Sequence, residues 1–537
     1  MWKERLPLVN RIEIFDSTLR DGAQAEGICF SVADKLKIVK SLDELGISYI
    51  EAGNPGSNPK DLEFFQKAKD LELKNAKLTA FGSTRRMNTL VEEDVNVTSL
   101  LNAETPTVAI FGKSWDFHVT DILKTTLEEN LKMIYDTIKF FKDKGKEVIF
   151  DAEHFFDGYK SNKEYAIKTL ESALDAGVDC IALCETNGGA FPDEVCEIVE
   201  NVVKNIDCKI GIHTHDDTGM AVANSIMAVL GGATHVQGTI IGFGERCGNA
   251  NLSTIIPNLQ LKKDYICIEH DNIEKLTQVS RTVAEIANIT LKNNMPYVGK
   301  SAFTHKAGMH IDGVTKASHS FEHIEPSQVG NERRFLMSEV AGRSTIVEKI
   351  QKLYPHLEKN HHKTTEIIDR IKSLEHKGYQ FEGADGTFEL LVRKTLGKYK
   401  PFFDVGEFKI IGEQPDINDR NSASAVIKLV VDGKKEVTAA DGEGPVNALD
   451  KALRKALEGF YPELKNMHLT DYKVRVLNTK AATAAKTRVL IESTDGEDYW
   501  STVGVSTDII EASWIALVDS IEYKLIKDIE KKFKTYL

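Results

Sequence analysis

The sequence predicts an α/β chain: an N-terminal (β/α)8 barrel of the TIM type, a helical linker region, and a C-terminal α+β domain with a ββα repeat. Three observations carry this expectation. Eight β-rich runs alternate with amphipathic stretches between Arg11 and about Asn258; eight units in roughly 250 residues match a closed parallel barrel. From about Leu259 to Tyr399 the strand rhythm stops and helix-rich, charged chain replaces it. From Pro401 two passages repeat one strand–turn–strand–helix pattern. The boundaries are placed at 1–270, 271–399 and 400–537.

Taken in order, the barrel strands are "RIEIF", "SYIEAG", "KLTAFG", "TVAIFG", "EVIFDAE", "CIALCET", "KIGIHTH" and "VQGTIIGFG". Of the helices between them, "SVADKLKIVKSLDELG" has Ser31 as its N-cap and Gly46 as its stop. "TDILKTTLEENLKMIYDTIKFFKDKG" closes at Gly145, and "NKEYAIKTLESALDAG" at Gly177. An open, doubly wound sheet competes, but no glycine-rich dinucleotide fingerprint follows the first strand. In the C-terminal repeat, Asp-Gly between alternating runs marks a hairpin. That domain carries no nucleophile or metal cluster, which leaves regulation, dimerisation or a structural appendage.

Composition excludes other classes. The chain has 537 residues, 42% hydrophobic and 28% charged, as in soluble globular proteins. A net charge of −13 without a basic stripe argues against nucleic acid. No long uncharged apolar run is present to span a membrane. The opening "MWKERLPLVNRIEIF" lacks an apolar signal core. Seven scattered cysteines without CxxC spacing argue against a disulfide framework or a zinc ribbon, and fit a reducing cytoplasm.

Polar residues at the C-terminal ends of barrel strands line the mouth. Here they are Arg20 and Asp21, then Asp151, Glu153 and His154, then Glu185 and Thr186, then His213 and His215, and finally Glu245, Arg246 and Asn249. His213 and His215 stand two apart, so on a strand both imidazoles face one way. An isolated HxH is a short motif that chance also produces, and an Arg-Asp pair is often only a salt bridge. Together they predict a cation site to which Asp21 adds a carboxylate from across the barrel. Two imidazoles and a carboxylate suit Mn²⁺, Co²⁺ or Zn²⁺ and tolerate Mg²⁺. Such a site leaves positions open for Lewis-acid chemistry. Asp16 caps the strand end or steadies a ligand from behind; the second reading is favoured. The glycines of "GFGERCGNAN" let the backbone turn tightly. His361 and His362 read as a solvated helix–loop junction. His305 and His310 are rival candidates for a general base.

"FDSTLRDGAQAEG", "HTHDDTGMAVANS" and "GFGERCGNANL" resemble the signature segments of the metal-dependent, Claisen-condensing barrel enzymes. That family includes 2-isopropylmalate synthase, homocitrate synthase and citramalate synthase, and the C-terminal repeat resembles the allosteric domain of the first and third. "EAGNPGSNPKD", "FGSTRR", "FGKSWDFHV" and "FDAEHFFDGY" look most like the citramalate-forming branch. The resemblance implies an acyltransferase that condenses the methyl carbon of acetyl-CoA with a 2-oxo acid and hydrolyses the thioester. It implies Asp21, His213, His215 and Asn249 as metal contacts, with Mn²⁺ or Mg²⁺ the expected ion. Arg20 would neutralise charge on the oxo acid, Thr186 bind its carboxylate, and Glu153 position substrate or water. His310 would be a catalytic base supplied by the linker of a neighbouring subunit, which makes the enzyme a homodimer. Pyruvate, with (R)-citramalate as product and isoleucine as feedback inhibitor, is the expected assignment. 2-Oxoisovalerate or 2-oxoglutarate are the alternatives, and a 3-hydroxyacyl-CoA lyase is the rival of another class. One departure is Phe321, in "SFEHI", where the family often has a Tyr.

Overall fold

The computed structural model describes residues 11–336, 343–358, 361–381, 383–412, 422–477 and 485–535. The first ten residues, which enter the expectation of no signal segment, lie outside them. The chain forms two units. One comprises the described residues up to Thr304 with Glu322–Arg334; the other comprises His305–Phe321 and the described residues from Phe335 onward.

The first unit is a closed parallel barrel. Its strands are β1 (Glu13–Asp16), β2 (Tyr49–Glu51), β3 (Lys77–Ser83), β4 (Thr107–Lys113), β5 (Glu147–Glu153), β6 (Cys180–Glu185), β7 (Lys209–Thr214) and β8 (His235–Gly238). β8 closes on β1 with Gly238 opposite Asp16. Helix signals act as expected. Ser31 and Asp34 form a reciprocal capping box, and Gly46 ends the helix Val32–Leu45 in the left-handed region at φ 98°. Asn162 caps Lys163–Asp175. These helices bury Ile38, Leu42 and Leu170 against Ile14, Ile50, Val108 and Ile181 of the strands. Removing one such side chain costs about 2–5 kcal/mol.

Two elements depart from the sequence reading. The run after Val236 does not continue as strand: β8 stops at Gly238, and Ile240–Gly242 forms a tight turn with Ile241 at φ 58°. The returning chain presses close there, since a Cβ on Gly238 would lie 2.4 Å from the Ala250 carbonyl. The long helix expected from Thr120 is two pieces. A π-helical turn, His118–Ile122, is separated by Lys124 at φ 55° from the helix Leu127–Asp143, which Thr126 caps.

In the second unit each ββα passage is present, and each is preceded by one further strand. Asp404–Gly412, Ala423–Val431 and Lys434–Gly442 form an antiparallel sheet backed by the helix Pro445–Leu457. His468–Val476, Thr487–Thr494 and Tyr499–Ser506 repeat this arrangement with the helix Ile509–Thr535. The Asp432-Gly433 turn has φ 49° and 78°, the double left-handed geometry that joins twisted strands. His361 caps the helix His362–His376 through an N–H bond from Lys363, and both histidines are exposed. All seven cysteines are free. Among the described residues no helix is long and apolar enough to cross a membrane.

Candidate active site

The mouth of the barrel holds a cavity of about 230 Å³. Asp21 reaches it from the turn after β1, a turn closed by N–H bonds from Arg20 and Gly22 to the Ser17 carbonyl. His213 comes from β7, and His215 lies one residue past its end. An antiparallel bridge pairs His215 with Asn249, which carries that asparagine into the site. The glycines of the β8 loop make the return feasible: Gly248 has φ 102°, and a Cβ on Gly244 would lie 2.1 Å from the Asn249 amide.

Ligand atoms of Asp21, His213 and His215 lie within 4.8 Å of one another, and all three residues are buried. The Asp21 carboxylate is 3.5 Å from His213 Nε2 and 4.0 Å from His215 Nε2, and the two Nε2 atoms are 3.2 Å apart. Asn249 donates to Asp21 at 3.1 Å. Its own Oδ1 is buried without a partner among the described residues. Burial would raise the Asp21 carboxyl, but the neighbouring Arg20 cation, foremost of the groups around it, holds it down to about 2. Burial pushes His213 down to about 3 and lowers His215 as well. An ionised carboxylate, two neutral imidazoles and an orphaned amide oxygen together fit a divalent cation.

Arg20 shares the cavity. Its Nε donates to the fully buried Glu51 at 2.7 Å and its Nη1 to Asp21 at 3.3 Å. Its guanidinium lies over the Phe81 ring, 3.7 Å from the centroid, a favourable cation–π arrangement. Thr186 Oγ1 accepts the His154 N–H at 3.0 Å, which leaves its own proton free to donate. Glu153, at the end of β5, is ion-paired with Lys113 at the matching position of β4.

Other rim residues are occupied structurally. Asp16 accepts from the Thr18 N–H and hydroxyl and from the Ile240 N–H, at 2.8–3.2 Å. It therefore caps the strand end, contrary to the reading favoured from sequence. Arg246 grips Asp217 through two bonds of 2.8 and 2.9 Å and the Thr186 carbonyl at 2.7 Å, tying three loops together. Glu185 accepts from the Gly189 and Ala190 N–H groups. The residues lining the cavity all belong to the first unit. His310 belongs to the second, on the exposed face of the helix Gly308–Lys316, stacked on Phe321 with centroids 4.3 Å apart. His305 is buried beside Phe335. Sequence reasoning missed Glu51, Phe81 and Gln237. A lone acid in the apolar run "SYIEAG" was the one available signal among them.

The closed eight-stranded parallel barrel thus carries at its mouth a carboxylate–imidazole cluster with the chemistry to hold a cation. The chain belongs to the HMGL-like family, whose model matches residues 11–283. A homocitrate synthase post-HMGL domain-like model matches residues 297–379, and a LeuA allosteric (dimerisation) domain model residues 382–525. The chain is 54% identical to the (R)-citramalate synthase of Aquifex aeolicus, over 98% of this chain and 99% of that one. It is 51% identical to the (R)-citramalate synthase of Geobacter sulfurreducens, over 97% and 98%. With the 2-isopropylmalate synthase of Methanocaldococcus jannaschii it shares 31%, over 98% and 96%.

Proposed function

We propose that the chain condenses acetyl-CoA with pyruvate and water to give (R)-citramalate and CoA, using a divalent cation at Asp21, His213 and His215. The observation that carries this reading is the convergence of those three ligand groups within 4.8 Å, in the same cavity as Arg20. Identity of 44–54% to five (R)-citramalate synthases, against 31% to the 2-isopropylmalate synthase, supports pyruvate as the oxo acid.

When bound, a cation such as Mn²⁺ or Mg²⁺ would polarise the keto carbon of the oxo acid. Arg20, aimed by Glu51 and Phe81, neutralises the oxygen on which charge develops, an effect of about 3–4 kcal/mol where such donors have been removed. Thr186 offers its free proton to the substrate carboxylate. Glu153, held by Lys113, orients substrate or water. His310 takes the proton from the thioester methyl as general base and is contributed across a homodimer. The dimerisation domain matched at residues 382–525 supports that assembly. The same domain is the proposed seat of inhibition by isoleucine.

The test is a substrate panel on the purified protein, with CoA release read by a thiol reagent. Metal-dependent release with pyruvate is expected. Release with 2-oxoisovalerate alone would move the assignment to a 2-isopropylmalate synthase, and with 2-oxoglutarate alone to a homocitrate synthase. Cleavage of a 3-hydroxyacyl-CoA without condensation would make the chain a lyase.

A further inference from the structure

Asp151 reaches the cavity from β5 but has no part in the chemistry above. It is buried, and its Oδ1 accepts a hydrogen bond from Gln237 Nε2 at 2.8 Å. Gln237, wholly buried on β8, stands beside His213 in the sheet register. Its Oε1 lies 3.0 Å from His213 Nδ1. A chain of two hydrogen bonds therefore runs across the barrel interior from Asp151 to His213.

The direction of that chain follows from donor and acceptor chemistry. A carboxylate only accepts, whereas a primary amide has one donating and one accepting end. With Asp151 holding the NH₂ end, Gln237 presents its carbonyl to His213, and that imidazole must carry its proton on Nδ1. Nε2 keeps its lone pair on the side where Asp21 and His215 Nε2 stand. Reversing the amide would make Gln237 a donor to Nδ1 and put the proton on Nε2, which would then be unable to bind a cation. His215 has no comparable support: its Nδ1 is buried without a partner among the described residues.

We infer that Asp151 is a positioning residue which, through Gln237, fixes the tautomer of His213 with Nε2 open to a divalent cation. This rests on the cation site proposed above. Groups that orient metal-binding histidines from behind typically contribute 10–100-fold in metal affinity.

The experiment titrates the full-length apoprotein with Co²⁺, following heat and the visible spectrum. Burial, followed by the charge of nearby Glu51, pushes the Asp151 carboxyl up, so the titration is run at alkaline pH, where that group is ionised. Asp151→Leu, which removes the acceptor, is expected to weaken Co²⁺ binding by about 10–100-fold. Asp151→Asn frees the amide to turn either way and should weaken binding less. Adding Gln237→Glu to Asp151→Asn restores a fixed direction: the amide introduced on β5 donates to the carboxylate introduced on β8, and that carboxylate can only accept from His213 Nδ1. The double variant should bind Co²⁺ more tightly than Asp151→Asn alone, a rescue that a merely space-filling role would not produce. Wild-type affinity in a folded Asp151→Leu, or a double variant no tighter than Asp151→Asn, would overturn the relay. Should Asp151→Leu not fold, the comparison of single with double variant decides alone. Absence of Co²⁺ binding by the wild-type chain would instead overturn the cation site itself, and the relay with it.

Discussion

Arg20 lies over Phe81, with its Cζ 3.7 Å from the ring centroid, while its Nε is bonded to the buried Glu51 at 2.7 Å. A guanidinium held over a ring and bonded through Nε has little rotational freedom left, and its Nη1 reaches Asp21 at the cavity that Arg20 lines. Arg20 thus answers to two residues, from β2 and β3, that the local sequence around it does not contain.

Glu51→Gln should therefore weaken catalysis without disturbing the cation. The charge-assisted bond is worth about 1.5–3 kcal/mol, so kcat/KM for pyruvate should fall roughly 10–100-fold with metal content unchanged. Wild-type kcat/KM would show that Arg20 needs no such anchor.

Asp21→Ala and His213→Ala each remove one of the three converging ligand groups. Both proteins are expected to emerge from dialysis without bound metal and without turnover. Metal analysis of the purified variants checks this directly, and stoichiometric metal in either would remove that residue from the ligand set.

His310→Ala should behave differently. The side chain is exposed and stacked on Phe321, so its loss should scarcely move the melting temperature. Metal and pyruvate should still bind, while condensation slows by about 10²–10⁴-fold, the usual contribution of a general base. A single-turnover measurement of CoA release at the wild-type rate would rule out the role.

Stability in acid should depend on Asp495. Burial would raise its carboxyl, but the Asp498 N–H at 2.8 Å, the Lys524 ammonium at 2.9 Å and the Glu497 N–H at 3.0 Å bring it down to about 2. A carboxyl depressed in the folded state stabilises it fully above its ordinary unfolded value, near 4, and that stabilisation disappears as pH falls towards 2. Asp495→Asn should lower stability at neutral pH and flatten its decline over that window, as read by urea denaturation at successive pH values. An unchanged slope would mean that the turn is stabilised otherwise.

Isoleucine should lower turnover of the intact chain and raise its melting temperature by binding the folded form. Cutting the chain near Tyr399 is a poor way to remove this response. The helix Asp385–Thr395 is bonded to the helix Ile509–Thr535 through Thr387–Asp519, Arg393–Glu530 and Lys527–Glu389. The shortened chain is therefore expected to melt at a lower temperature. Turnover of the intact chain that is indifferent to saturating isoleucine would exclude the inhibitor.

The alternation of strand and helix placed all eight barrel strands, and the two-residue spacing of His213 and His215 put both rings on one face, because these features depend on neighbours in the chain. The cap at Ser31 and the stop at Gly46 were equally local. The sequence brought Asp21 to His213 and His215 across the barrel, but left the other partners between distant segments unassigned. The Ala250 carbonyl of the returning chain leaves no room for a Cβ at Gly238, the last residue of β8, and Asp16 is consumed by an N–H group 224 positions away. Gln237 could not be tied to Asp151, nor Glu51 to Arg20, until barrel closure and strand register set which side chains share the interior. Periodicity alone thus determined the barrel and the residues available at its mouth. The tertiary structure decided which of them face one another, since pairing across a closed sheet depends on register and on the inward direction of each side chain, and neither is a property of any short segment.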